Sequence, residues 1–136
     1  MPPKVINPDH IGIKVQNMEG AIHFYRDVLG LPLVERHPMP NGTELVFLRM
    51  GATGTIELIT RPNLDKTEPV PASRAGLQHL CLQVESLDEW VHHLKENDVA
   101  LTGQPFSLTF PSGPVRGLFI ADPEGNPVEL MERVTQ

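Results

Sequence analysis

The stretch Asp122-Pro-Glu-Gly-Asn-Pro-Val-Glu-Leu130 carries the pattern that decides the fold. Its first five residues are typical of a tight turn, because proline presets φ, glycine accepts positive φ, and aspartate and asparagine tolerate what remains. A strand running to about Met131 should follow, with Val128 and Leu130 on one face and Glu129 on the other. A carboxylate buried there without a partner is costly, so Glu129 needs a cation, a hydrogen-bond donor or water.

The first half of the sequence predicts one strand, then a helix, then three further strands. Residues 10–15 alternate between polar and apolar, with His10 on the polar face, and residues 18–29 have helical spacing before a stop at Gly30. The three further strands are predicted at residues 31–36, 43–50 and 55–60. In the last of these, Glu57 lies on the opposite face from its apolar neighbours.

The second half repeats this order after residues 62–75, which are rich in proline and charge and are predicted to form a surface linker. Residues 77–84 predict a strand with His79 and Cys81 on its polar face. The capping box Ser86-Leu-Asp-Glu89 predicts a helix that ends at about Asn97. Strands are then predicted at residues 100–102, 106–109 and 115–121, and after the turn described above.

The landmarks of the two halves recur at nearly constant spacing. His10 and His79 are 69 residues apart (79 − 10), and Glu57 and Glu129 are 72 apart (129 − 57), which indicates an internal repeat. We therefore expect an α+β fold in which two tandem βαβββ modules form a curved mixed-sheet cup. The 136 residues are interpreted as a single domain, with module 1 at about 8–61, the linker at 62–75 and module 2 at about 76–133.

A histidine on the first strand and a glutamate on the last strand of each half form a candidate metal site. A single histidine at the start of a strand is more often structural. The prediction therefore depends on the recurrence of a histidine and a glutamate in both halves. The four residues expected to point into the cup are His10, Glu57, His79 and Glu129. Two imidazoles and two carboxylates, without a thiolate, suit Zn²⁺, Ni²⁺, Co²⁺, Mn²⁺ or Fe²⁺, with open positions for water or substrate oxygens.

The composition argues against several classes of partner. A net charge of −6 and a pI of about 5.4 disfavour nucleic acid or an anionic membrane as the partner. No apolar run approaches the ~18 residues of a membrane span, and the first residues lack the apolar region of a signal peptide. A single cysteine excludes an intramolecular disulfide and is typical of a reducing compartment. We expect a cytoplasmic protein that binds a small-molecule substrate.

Five motifs carry a resemblance to a known family. They are His10-Ile-Gly-Ile, Phe24-Tyr-Arg-Asp-Val-Leu-Gly-Leu31, Glu57-Leu, Gly76-Leu-Gln-His79 and Asp122-Pro-Glu-Gly-Asn-Pro-Val-Glu129-Leu. Together they cover nearly the whole chain, which resembles the vicinal oxygen chelate superfamily. That group includes glyoxalase I, methylmalonyl-CoA epimerase, extradiol dioxygenases and the bleomycin- and fosfomycin-resistance proteins. The resemblance implies a homodimer with a divalent metal ion bound by His10, Glu57, His79 and Glu129.

The resemblance also implies proton transfer at a carbon next to a carbonyl, with the metal polarising the substrate oxygens. A carboxylate at the second ligand position, here Glu57, resembles glyoxalase I, whereas epimerases usually have glutamine there. The expected function is a metal-dependent glyoxalase I-like lyase or isomerase acting on a small, oxygenated, anionic substrate such as a 2-oxoaldehyde–thiol adduct. By the same resemblance, Glu129 is the expected catalytic base with Glu57 as its partner, and Lys14 and Arg61 are the expected substrate-binding residues.

Three alternatives stay open at this point. The segment Gly76-Leu-Gln-His-Leu-Cys-Leu82 resembles the epimerases, and an extradiol dioxygenase would hold iron with two histidines and one glutamate. A metal-free binding protein of the bleomycin-resistance type would use the cup only to bind a ligand, but such a cup needs no ligand-type residues at four positions. Arg61 stands where glyoxalase I has an amide, which argues against glutathione itself as part of the substrate.

Overall fold

Two mixed four-stranded sheets, each with its own helix, form the framework of the computed structural model, which describes residues 1–134. The N-terminal unit comprises Met1–Lys66, and the C-terminal unit begins at Thr67. The boundary lies inside the predicted linker, in a stretch from residue 61 to residue 79 that contains no helix or strand. Within the described residues, no helix has the length and apolar character needed to cross a lipid bilayer.

The sheet of the N-terminal unit has the strand order β1-β4-β3-β2. The elements of this unit are β1 (His10–Lys14), α1 (Met18–Ile22), a π-helical segment (His23–Val28), β2 (Leu33–Pro38), β3 (Glu44–Arg49) and β4 (Thr55–Thr60). β1 runs parallel to β4, and the other neighbouring strands are antiparallel. Because the π-helical segment continues α1 directly, the order is βαβββ, as predicted.

The sheet of the C-terminal unit has the equivalent order β5-β8-β7-β6. Its elements are β5 (Leu80–Gln83), α2 (Leu87–Glu96), β6 (Phe106–Phe110), β7 (Gly113–Ala121) and β8 (Pro127–Arg133). β5 runs parallel to β8, and the other neighbouring strands are antiparallel. Two mixed sheets with one helical element each make an α+β fold, which confirms the predicted class and the repeated βαβββ order.

Alternation along the strands separates a buried face from a more exposed face in both sheets. In β4, Ile56 and Leu58 have no exposed surface, whereas Glu57 between them is partly exposed. The helices contact the sheets at β4 in the first unit and at β8 in the second, and Ile22 of α1 and Leu94 of α2 are almost fully buried. Burying one such side chain contributes about 1.5–3 kcal/mol, so these residues anchor each helix.

The first helix differs from the prediction in its hydrogen bonds. After Ile22, the predicted α-helix of residues 18–29 becomes π-helical: the N–H of Leu29 donates to the carbonyl of Phe24, five residues earlier, at 2.9 Å. Apolar spacing predicts the buried face of a helix but not the carbonyl that each N–H selects. The segment buries Phe24 and Tyr25 in edge-on contact, with ring centroids 4.9 Å apart.

Two predicted strands are also corrected. Residues 100–102 do not form a strand, and the N–H of Thr102 makes a hydrogen bond of 2.9 Å to the carbonyl of Phe119. β5 begins at Leu80 rather than at residue 77, so His79 precedes the strand instead of lying within it. In the neighbouring strand β8, the first residue is Pro127, which has no N–H to donate. This limits the pairing of β8 with the residues that precede Leu80.

Candidate functional site

The N-terminal unit brings His10 and Glu57 together on the more exposed face of its sheet. The parallel pairing of β1 with β4 sets Gly12 opposite Glu57, and His10 lies two residues before Gly12. Since side chains alternate along a strand, His10 and Glu57 point to the same face. The His10 Nε2 and Glu57 Oε1 atoms are 3.7 Å apart, and the two side chains are 41% and 16% exposed. Both groups are therefore accessible to a ligand.

The C-terminal unit repeats this arrangement with His79 and Glu129. Cys81 is the register partner of Glu129, in the position that Gly12 occupies in the first sheet. His79 lies two residues before Cys81 and directs its Nε2 to within 2.9 Å of Glu129 Oε1. Each unit thus brings one predicted histidine to one predicted glutamate. The meeting of all four residues stays a prediction.

Each histidine also has an aromatic neighbour that the sequence interpretation missed. Phe47, the cross-strand partner of the glutamate in β4, lies edge-on to His10 with ring centroids 6.3 Å apart. Phe119, the cross-strand partner of the glutamate in β8, lies edge-on to His79 at 5.0 Å. The available signal was a phenylalanine ten residues before the glutamate in both halves (57 − 47 and 129 − 119). Each imidazole thus has one phenylalanine ring edge-on to it.

The second ring nitrogen of each histidine contacts the residue immediately before it. His10 Nδ1 lies 2.8 Å from Asp9 Oδ1, and His79 Nδ1 contacts Gln78 Oε1. The hydrogen bond with Asp9 raises the pKa of His10, partial burial opposes this rise, and the negative charges of Glu57 and Asp9 add to it. In both histidines Nδ1 is occupied and Nε2 faces the glutamate.

Cys81 lies beside the second pair as a protonated thiol. The residue as a whole exposes surface, but burial of the thiol group raises its pKa to about 11, and the charge and hydrogen bond of Glu129 act in the same direction. At neutral pH the sulfur is therefore a weak hydrogen-bond donor to Glu129 rather than a nucleophilic thiolate.

The predicted turn at Asp122 fixes the start of β8, the strand that carries Glu129. Asp122 is buried, and its Oδ1 accepts hydrogen bonds from the backbone N–H groups of Glu124 and Asn126, both at 2.9 Å. Its Oδ2 accepts a third bond from the side-chain amide of Asn126 at 2.9 Å. Gly125 has a φ of 92°, which a glycine adopts without strain. The turn thereby holds the backbone three residues before the glutamate.

The predicted substrate-binding residues have different settings. Lys14, the last residue of β1, lies on the same face as His10. Arg61 follows the end of β4 and is exposed, so strand alternation does not assign it to a face. Arg49, which the sequence interpretation missed, ends β3 opposite Thr55, and Thr55 is also the register partner of His10. Alternation along β3 was the signal for Arg49.

Each histidine–glutamate pair offers two donor atoms that suit a divalent cation. An imidazole Nε2 and a carboxylate oxygen are common ligands of Zn²⁺ and of similar first-row metals. Within residues 1–134, no group of three or more His, Cys, Asp or Glu side chains lies close enough together to hold a metal ion. One pair supplies fewer protein ligands than the three or four of an ordinary zinc site.

Comparisons with known proteins agree with the fold. The chain is 30% identical over 128 residues to the mitochondrial methylmalonyl-CoA epimerase of Bos taurus, covering 90% of this chain and 71% of that protein. It is 28% identical over 132 residues to the lactoylglutathione lyase of Escherichia coli O157:H7, covering 90% of each. The solved structure of glyoxalase I from Leishmania major is similar with a TM-score of 0.71 and 25% identity, covering 90% of this chain and 84% of that one.

A sequence model of one family matches almost the whole chain. The match extends over residues 7–130 and therefore includes both histidine–glutamate pairs and the Asp122 turn. The sequence motifs, the two βαβββ units and this match agree with one another. The chain belongs to the Glyoxalase/Bleomycin resistance protein/Dioxygenase superfamily.

Proposed function

We propose that this protein is a metal-dependent lyase or isomerase of the glyoxalase I type, which moves a proton at a carbon next to a carbonyl group. The ligands of the divalent ion are His10, Glu57, His79 and Glu129. When bound, the ion would supply positive charge to stabilise an enediolate-like oxygen anion of the substrate. Both units belong to one domain with a common cup, completed within one chain or between two chains of a cytoplasmic homodimer.

One observation carries this proposal: both units present the same histidine–glutamate pair on the more exposed face of their sheets. The Nε2–Oε1 distances are 3.7 Å in the first pair and 2.9 Å in the second. An isolated pair of this kind is commonplace on a protein surface. Its duplication at equivalent register positions, with a phenylalanine edge-on to each histidine, supports a common role for the two pairs.

The two glutamates divide the proton transfer between them. Glu129 accepts the proton from the substrate carbon, and Glu57 is the partner that accepts or returns a proton at the neighbouring carbon. Proton exchange with solvent restores both carboxylates to their starting charge, so the net reaction is an isomerisation. Glu129 is 13% exposed, which leaves it accessible to a substrate, and Phe119 and Cys81 are its cross-strand neighbours on the two sides.

The substrate is a small, oxygenated anion such as a 2-oxoaldehyde–thiol adduct. Lys14, Arg49 and Arg61 take part in none of the ion pairs found within residues 1–134. Cations without acidic partners attract an anionic ligand, and Lys14 and Arg49 lie on the face that carries the first pair. Lys14 and Arg61 are the proposed substrate-binding residues.

Metal content and turnover test the proposal together. We expect the purified protein to retain or take up about one equivalent of divalent metal, in line with a single four-ligand site, and to convert a methylglyoxal–thiol adduct. Glu57→Gln and Glu129→Gln should each reduce metal content or abolish turnover. The matched controls are Glu19→Gln in the N-terminal unit and Glu85→Gln in the C-terminal unit, which neutralise exposed glutamates outside both pairs. A wild-type protein that neither binds metal nor turns over any of several thiol adducts contradicts the proposal.

An epimerase of the methylmalonyl-CoA type is the second candidate, and the identity of 30% to such an epimerase favours it. It shares the proton abstraction next to a carbonyl, but this chain has Glu57 where epimerases usually have glutamine. Incubation with methylmalonyl-CoA in deuterated water distinguishes the two candidates, because an epimerase incorporates solvent deuterium at the α-carbon. Deuterium incorporation without turnover of thiol adducts assigns the epimerase reaction.

Two other outcomes would indicate the remaining alternatives. Oxygen-dependent ring cleavage of a catechol would indicate a dioxygenase. Ligand binding without metal would indicate a resistance-type binding protein.

A further inference from the structure

Asp9 and Gln78 occupy equivalent places in the two units and make equivalent contacts. Each immediately precedes a proposed metal ligand, and each has a side-chain oxygen against the Nδ1 atom of that histidine. The Asp9 Oδ1–His10 Nδ1 distance is 2.8 Å. Asp9 carries a carboxylate and Gln78 carries an amide. The contact with Nδ1 is therefore repeated in the two units although the residue type is not.

The backbone before each strand permits this contact. In a regular strand, consecutive side chains point to opposite faces and do not meet. Asp9 precedes the first residue of β1, and Gln78 and His79 both precede the first residue of β5, so neither pair lies within regular strand. Each histidine can therefore contact the residue before it and still face the glutamate of its sheet.

The backbone of Asp9 is also held in place. Its carbonyl accepts a hydrogen bond of 3.0 Å from the N–H of Thr55, the first residue of β4. Gly54 makes this approach possible, because a Cβ atom there would lie 3.3 Å from the Asp9 carbonyl oxygen and its φ is +83°. The segment that carries Asp9 is thus fixed against the strand that carries Glu57.

We propose that Asp9 and Gln78 are positioning residues, each of which accepts the Nδ1–H of the following histidine and keeps its Nε2 lone pair free for a divalent cation. A neutral imidazole carries one N–H, and an acceptor against one nitrogen sets the proton there. A carboxylate has only acceptor atoms, so Asp9 selects the Nδ1–H form of His10. The amide oxygen of Gln78 acts on Nδ1 of His79 in the same way, and it competes with the Glu129 carboxylate, which lies 2.9 Å from Nε2, until a cation binds there. Such partners typically change metal affinity by about 10–100-fold.

The inference rests on the proposed metal site, but its first test needs no metal. In the metal-free protein at about pH 8, where imidazoles are mostly neutral, ¹⁵N-detected histidine spectra report the tautomer of each ring. We expect the Nδ1–H form at His10, against the Nε2–H form that free histidine prefers. We expect the same form at His79 in a Glu129→Ala background, which removes the competing carboxylate 2.9 Å from its Nε2. Asp9→Ala should convert His10 alone, and in the Glu129→Ala background Gln78→Ala should convert His79 alone. Asp9→Asn and Gln78→Glu, which keep an acceptor oxygen, should preserve the Nδ1–H form.

The second test is calorimetric titration with Zn²⁺ alone. Asp9→Ala and Gln78→Ala should each weaken Zn²⁺ binding by about tenfold, whereas the exposed controls Asp65→Ala and Gln104→Ala should not change it. Unchanged tautomers in both alanine variants overturn the inference, as does undiminished Zn²⁺ affinity. Tautomers that convert as expected in a protein that binds no Zn²⁺ uphold the role of Asp9 and Gln78 in orienting the rings and reject the proposed function.

Discussion

Glu132 Oε1 accepts a hydrogen bond of 2.7 Å from the backbone N–H of Leu87, the first residue of α2. This bond joins the strand that carries Glu129 to the N-terminus of the only helix in the described part of the C-terminal unit. The predicted cap is present as well, since Ser86 Oγ accepts the N–H of Glu89 at 3.3 Å. The helix start is thus satisfied both by its own cap residue and by the sheet.

Replacing Glu132 should destabilise the protein. Glu132→Ala leaves the N–H of Leu87 without its acceptor and removes a negative charge from a helix N-terminus, and we expect a loss of about 1–3 kcal/mol. Chemical denaturation followed by circular dichroism measures the change, with Glu85→Ala as the exposed control. A loss no larger than that of the control would show that Ser86 alone caps the helix.

Substitution of Asp122 should destabilise the protein more than its position in a turn suggests. Asp122→Ala removes the acceptor of three hydrogen bonds made by a buried carboxylate, and we expect a loss of about 2–4 kcal/mol in the free energy of unfolding. Asp122→Asn should cost less, because it keeps an acceptor oxygen for the backbone N–H groups. Equal stability of the Ala variant and the wild type would contradict the importance of the turn for β8.

Gly117 should not tolerate a methyl group. A Cβ atom there would overlap the ring of Phe106, which packs at 6.0 Å against Phe119 beside His79. We expect Gly117→Ala to lower stability by about 1–3 kcal/mol, the usual cost of overpacking. Gly103→Ala is the control, since nothing lies within 4 Å of its Cβ position. Adding Phe106→Leu to Gly117→Ala should recover part of the loss, and no recovery would indicate another cause.

Cys81 should react slowly at neutral pH in the metal-free protein. Its pKa is raised to about 11, so the reactive thiolate forms only as the pH rises towards that value. We expect the rate of alkylation by iodoacetamide to increase throughout the range from neutral to strongly alkaline pH. Urea-unfolded protein is the control and should react faster at neutral pH, because its thiol has an ordinary pKa. If the alkylation rate of the folded protein levels off below about pH 9, the raised pKa of Cys81 is contradicted.

Strand alternation and the internal repeat predicted much of the candidate site. They identified the sheet face of His10, Glu57 and Glu129 because a half-buried strand must turn every second side chain towards the core. They did not predict that His79 lies outside β5, since that depends on the pairing partner Pro127. The contacts of Asp9 and Gln78 also escaped prediction, because a contact between consecutive side chains requires an irregular backbone.

The two aromatic neighbours of the histidines escaped prediction for another reason. Strand alternation assigned faces but not the cross-strand register, and the register sets Phe47 and Phe119 opposite the glutamates. The position of the first helix was predicted, but its π-helical part was not. There the N–H of Leu29 donates to the carbonyl of Phe24, five residues earlier. Local patterns therefore predict elements and faces, whereas contacts between elements require the pairing itself.

X-ray absorption of the zinc-loaded protein tests the central claim most directly. If His10 and His79 bind the same ion, the spectrum of bound Zn²⁺ should contain two imidazole ligands together with oxygen donors, and His79→Ala should leave one. Glu85→Gln, the control, should give the wild-type spectrum. A spectrum with a single imidazole in the wild type, or with none, would contradict the claim that the two pairs form one site.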